Sequence, residues 1–161
     1  LDDLLGRIND ARPSDGAPVF LKIAPDLIGE EIGMIVEASL AHGIDALIVS
    51  NTTLERPAAL RSRFAGEVGG LSGAPLRPFA LRALEAAAEA AAGRLSLIAV
   101  GGIASGEDAW ARIRAGASAV QVYSALIYEG PGLIGAIKRD LAARLRAEGF
   151  AALSDAVDSG R

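Results

Sequence analysis

Lys22 stands in the run Phe20-Leu21-Lys22-Ile23-Ala24, a cation among apolar neighbours. Burying an unpaired ammonium costs several kcal/mol, so such a lysine needs an anionic partner, for which Asp26 is the candidate, or a route to water past the strand end. Further along, Ser50-Asn51-Thr52-Thr53 follow the apolar Leu47-Ile48-Val49 directly. An asparagine donates and accepts at once, which suits an amide or a planar heterocycle, although local capping of a turn explains the same run. Two glycine-rich stretches come next, Gly69-Gly70-Leu71-Ser72-Gly73-Ala74-Pro75-Leu76 and Val100-Gly101-Gly102-Ile103-Ala104-Ser105-Gly106-Glu107-Asp108. Pro75 suits a first helical turn, and Ser105 with Asp108 has capping-box spacing, so each stretch opens a helix. Free N–H groups at helix starts attract phosphate, and glycines let an anion approach the chain closely. Tyr123-Ser124 adds a third polar turn after the last apolar run.

Other chemistries are missing. With no cysteine, disulfides, thiolate zinc sites and iron–sulfur clusters are excluded. The only histidine, His42, precedes Gly43 and reads as a cap on helix-end carbonyls. Glu30-Glu31 and Glu107-Asp108 fall in first helical turns, where the helix dipole accounts for them, and no carboxylate cluster suggests a metal. A net charge of −4 cannot drive sequence-independent binding of nucleic acid. No apolar run reaches the roughly 18 residues of a membrane span. Asp2 and Asp3 stand where a basic leader would lie, so the chain reads as soluble. It starts at Leu1, inside an amphipathic pattern of Leu4, Leu5 and Ile8, which leads us to expect a missing upstream portion.

Four apolar runs, 18–23, 45–50, 95–100 and 118–122, predict strands. They are apolar almost throughout, the pattern of parallel strands buried on both faces. Segments of helical period at 30–42, 76–92, 107–115 and 133–148 separate and follow them. Trp110 reads as packing on the outside of such a layer, and Arg139, Arg144 and Arg146 as a solvated face. Strand and helix alternate, so the class is α/β. An eight-stranded parallel β/α barrel takes about 250 residues, and four units amount to about half of one. A complete, doubly wound open sheet of four strands is the alternative. In either, ligands meet the carboxyl ends of strands, where the polar runs lie. Residues 53–73 make a connection long enough to be a functional loop.

Taken together and in this order, PVFLKIAPDL, LIVSNTT, GGLSGAPL, VGGIASGEDAW, AGASAVQVYSALIYEGP and GFAALSDAV resemble the carboxyl-terminal half of class 2, quinone-dependent dihydroorotate dehydrogenase. The resemblance runs from Pro18 to Val157. It implies that residues 1–161 are the last four strand–helix units of a single FMN-binding β/α (TIM) barrel domain. The implied enzyme oxidises dihydroorotate to orotate in pyrimidine biosynthesis and passes the electrons to a quinone. Matched by motif, Lys22 and Ser50 would contact the flavin ring, Asn51 and Thr52 would hold the substrate, and Gly73, Gly102, Tyr123 and Ser124 would hold the FMN phosphate. The family's catalytic serine, its Asn-rich substrate motifs and its quinone-tunnel helices belong to the first half of the barrel and match nothing here. The expectation is therefore an inactive fragment, soluble by itself. Its full-length parent would lie peripherally on the cytoplasmic side of the membrane, attached through the N-terminal part. A class 1 or other FMN-barrel oxidoreductase, and a non-catalytic phosphate-binding half-barrel that self-associates, remain as alternatives.

Overall fold

The computed structural model describes residues 1–160. After α1 (Asp2–Ala11) the chain alternates strand and helix: β1 (Phe20–Ile23), α2 (Gly29–Ala41), β2 (Ala46–Val49), α3 (Arg77–Ala91), β3 (Ser96–Val100), α4 (Gly106–Arg114) and β4 (Ala119–Gln121). Three more helices follow, α5 (Ser124–Glu129), α6 (Gly132–Glu148) and α7 (Leu153–Ala156). The four strands pair in parallel in the order β1-β2-β3-β4. All four predicted strands and the four long predicted helices are present. The short α5 and α7 were not anticipated, because one or two turns carry too few residues to display a period.

Register decides which side chains face the helices. Lys22, Ile48, Ile98 and Ala119 are Cα partners across the sheet. Side chains alternate along a strand, so Leu21 and Ile23, Leu47 and Val49, and Leu97 and Ala99 take the opposite face. Those residues form the main core with Ile32 and Val36 of α2, the alanines of α3, and Trp110 and Ile113 of α4. The alanine-rich stretch thus has a packing role, since Ala80, Ala83, Ala87, Ala88 and Ala91 are all buried and let α3 lie close to its neighbours. Leu47 is fully buried, and truncating it to Ala would cost roughly 2–5 kcal/mol.

The other face is bare at the sheet edges. Phe20 is 45% exposed, and Lys22, Ala119 and Gln121 are exposed as well. Burial of every strand on both faces therefore holds for β2 but not for β1 and β4, which have a neighbouring strand on one side only and no covering layer inside. The result is an open four-stranded arc of a β/α barrel.

Trp110 sits in the outer helical layer as expected. Its indole N–H donates to Glu148 at 3.0 Å, and its ring meets Phe150 edge-on. The side chain of His42 does not cap a carbonyl. The backbone of His42 terminates α2, while Nε2 pairs with Asp2 of α1 at 2.8 Å, a longer-range tie than sequence neighbours could suggest. None of the helices among the described residues is long and apolar enough to cross a membrane.

Candidate functional site

The carboxyl ends of the four strands open into one cleft of about 470 Å³. Lys22 enters it from β1, Ser50, Asn51 and Thr52 from the turn after β2, Gly73 from the start of the α3 segment, Gly102 from the turn after β3, and Tyr123 and Ser124 from the end of β4. All eight residues that the resemblance assigned to flavin or substrate therefore line a single cavity, although Lys22 and Ser124 lie 102 positions apart. Parallel strands produce this result by pointing all their carboxyl ends the same way.

Around Lys22 the expected pairing fails. Its side chain is exposed and has no ion pair or hydrogen bond among the described residues. Asp26 turns instead to the next loop, accepting from the Thr53 hydroxyl and from the Leu54 amide at 2.8 Å. An ammonium that can stay hydrated in an open cleft needs no permanent partner, which removes the desolvation argument for pairing it with Asp26.

The turn after β2 is held from both neighbouring strands. The Ser50 amide donates to Val100 O at 3.0 Å and the Asn51 amide to Ile23 O at 2.7 Å. The Val49–Ser50 peptide is cis. The Ser50 hydroxyl donates to Asn51 O, and Asn51 Oδ1 accepts from the Thr52 amide at 2.9 Å. Local capping is thus realised, and it leaves the Asn51 side-chain nitrogen Nδ2 at the cleft without a hydrogen-bond partner among the described residues. Thr53, fully buried, was not among the predicted site residues. It pairs antiparallel with Leu71, closing the base of the long loop. Inside that loop the Arg56 guanidinium is a hub, donating to carbonyls that include Leu54 (3.1 Å), Ala65 (3.0 Å), Glu67 (2.9 Å) and Gly69 (2.7 Å).

The glycine turns are built as helix entrances. Gly73 has φ +76°, a conformation glycine adopts freely, and it precedes a short 3₁₀ turn (Ala74–Leu76) that runs into α3. Ser124 donates to Ser72 at 2.9 Å, joining the β4 turn to this one; Ser72 also lines the cleft and was not anticipated. At α4, Ser105 caps the helix by accepting from the Asp108 amide at 3.1 Å, as its spacing implied. Asp108 does more than answer the helix dipole, for it bridges Arg77 at 2.9 Å and accepts from the Ala104 amide at 3.0 Å. A Cβ on Gly102 would lie 2.6 Å from Arg77 Cβ and 2.8 Å from its backbone nitrogen, so this glycine is needed for packing against α3.

This placement of strand ends and glycine turns is that of a known family. A family model described as dihydroorotate dehydrogenase matches residues 4–145. The chain belongs to the dihydroorotate dehydrogenase family. It is 55% identical over 161 residues to dihydroorotate dehydrogenase (quinone) of Sphingopyxis alaskensis, covering 99% of this chain and 45% of that protein. With the enzyme of the same name from Xanthobacter autotrophicus the identity is 54% over 145 residues, covering 90% and 41%. A crystal structure of DHODH from Eimeria tenella in complex with ferulenol superposes with a TM-score of 0.85 at 43% identity, over 89% of this chain and 38% of that one. The chain therefore spans less than half the length of the dihydroorotate dehydrogenases it matches. The four-stranded arc corresponds to part of their barrel.

Proposed function

We propose that residues 1–161 form the C-terminal part of a single barrel domain in a dihydroorotate dehydrogenase, and carry its FMN site and part of its substrate floor. The parent reaction would be oxidation of (S)-dihydroorotate to orotate in pyrimidine (UMP) biosynthesis, with a quinone as electron acceptor. One observation carries this reading: a free ammonium and a polar β2 turn share one cleft with three glycine or hydroxyl turns.

The residues present fit FMN. The cleft volume lies within the roughly 300–1,000 Å³ of small-molecule sites, and its floor combines apolar Val100, Ile103 and Leu76 with convergent polar groups. Gly73, Gly102, Tyr123 and Ser124 would hold the phosphate, while Lys22 and Ser50 would lie against the ring. FMN, when bound, supplies the acceptor for the hydride that leaves dihydroorotate. Lys22 would place a fixed positive charge where the reduced ring gathers negative charge, a stabilisation that needs no reorganisation during reaction. Asn51, through its side-chain nitrogen Nδ2, and Thr52 would bind the substrate's carboxylate and ring amides and orient its reacting carbon. The proton would be taken by a group outside these residues, so the 161-residue chain alone would not turn over. Peripheral attachment to the membrane would likewise belong to the remainder of the parent enzyme.

The test is a fusion of this chain behind the preceding portion of the Sphingopyxis alaskensis relative. Anaerobic dihydroorotate is expected to bleach bound flavin, and a quinone to restore it. Flavin that stays oxidised would overturn the dehydrogenase reading. Turnover with fumarate or NAD and none with quinone would move the chain to another class of FMN barrel.

A further inference from the structure

We propose that Arg112, assisted by Arg77, is a positioning residue that arms the Gly101–Gly102 turn for a phosphate from behind. The proposal deepens the FMN reading and rests on it. Arg112 lies on the inner face of α4, where the residue is only 2% exposed. Its Nη2 donates to Gly101 O at 3.2 Å and to Arg77 O at 2.8 Å. Arg77 Nε in turn donates to Gly102 O at 3.1 Å. In a trans peptide the N–H points opposite to the C=O. Two arginines drawing these carbonyls to one side therefore turn the amides of Gly102 and Ile103 to the other. Both residues line the cleft, and neither amide has an acceptor among the described residues.

Charge supports the same conclusion. Asp108 forms its ion pair with Arg77, and Arg112 forms none among the described residues. Its Nε, also buried, has no hydrogen-bond partner among the described residues. A buried cation without a contacting anion is strongly disfavoured. Burial is the main reason its pKa is lowered, the nearby charge of Arg77 adds to this, and Asp108 and Glu85 counteract it. A phosphate dianion across a single layer of backbone would supply the missing counter-charge.

Riboflavin, which lacks the phosphate, separates this role from a merely structural one. Flavin fluorescence quenching on the fusion protein would give dissociation constants for FMN and for riboflavin. Arg112→Met is expected to weaken FMN about tenfold or more while leaving riboflavin unchanged, and Arg112→Lys to restore part of the loss. A folded Arg112→Met protein with the parent's FMN-to-riboflavin preference would overturn the proposal. Should that variant fail to melt cooperatively, Arg77→Gln at the half-exposed partner decides. A several-fold fall in the preference then supports the proposal and an unchanged one overturns it. A parent fusion that binds both flavins equally would remove the phosphate site itself, and with it the reading on which this proposal rests.

Discussion

The buried Thr53 hydroxyl donates to the carboxylate of Asp26, joining the turn after β2 to the turn after β1. Asp26 completes the tie by accepting from the Leu54 amide, and Thr53 Oγ1 itself accepts from the Glu55 amide at 3.0 Å. Asn51 and Thr52 are thereby fixed next to the cleft. A hydrogen bond to a charged acceptor contributes roughly 1.5–3 kcal/mol, so Thr53→Val should lower stability by about that amount in denaturant unfolding. In the fusion protein, KM for dihydroorotate should rise more than kcat falls, because the change acts on Asn51 and Thr52, the residues proposed to orient the substrate. An unchanged KM would separate this tie from the substrate floor.

Lys22 offers the opposite case. Exposed and without a partner among the described residues, it contributes little to the fold. Lys22→Ala should leave unfolding free energy within about 0.5 kcal/mol of the parent, while stopped-flow reduction of the flavin slows clearly. A variant that lost stability and kept its reduction rate would contradict both assignments.

The two cleft glycines should respond differently to a side chain. Gly102→Val would drive its Cβ into the backbone of Arg77, so loss of the folded state is expected and flavin uptake cannot be read from it. At Gly73 the nearest atom to an added Cβ is Ser124 Cβ at 3.7 Å, and the obstacle is the positive φ. Gly73→Ala should therefore fold at a cost of roughly 1–3 kcal/mol, since φ +76° with ψ −157° is a conformation nearly confined to glycine, with weaker FMN binding by fluorescence titration.

Acid should weaken the fold through surface carboxylates. The Val19 amide and, behind it, Arg12 hold the Asp45 carboxyl below its ordinary value, and Arg94 does the same for Glu37. Both pKa values are lower in the folded state. Their contribution is complete above the unfolded values, 3.8 and 4.5, and is lost as pH falls through the folded ones. Melting temperature should be level from about pH 5 to 7 and drop below about pH 4, with a shallower drop in Asp45→Ala and in high salt.

Much of the site was legible in the chain. Lys22 near the end of one apolar run, Ser50-Asn51-Thr52 and Gly101-Gly102 directly after two others, and Gly73 before a helix could all be placed, and a parallel α/β fold gathers its strand ends and helix starts on one side. The capping pair of Ser105 and Asp108 was legible for the same local reason, that a helix start needs acceptors at fixed spacing. Arg112 shows where such reading stops. Its place beside Ala109 and Ile113 on the buried stripe of α4 was the available signal, but a charge in an amphipathic helix is normally assigned to the wet face.

The alternation of strands and helices, the helix-opening glycines and the family motifs were thus legible in the sequence alone, because they depend on residues within a few positions of one another, whereas the strand order β1-β2-β3-β4 was decided by the tertiary structure. Tertiary structure decided that Asp26 serves Thr53 and not Lys22, that His42 meets Asp2, and that two arginines back the Gly101–Gly102 turn. These partnerships join residues 27, 40 and as few as 11 positions apart, and it is the packing of whole elements that brings them within reach.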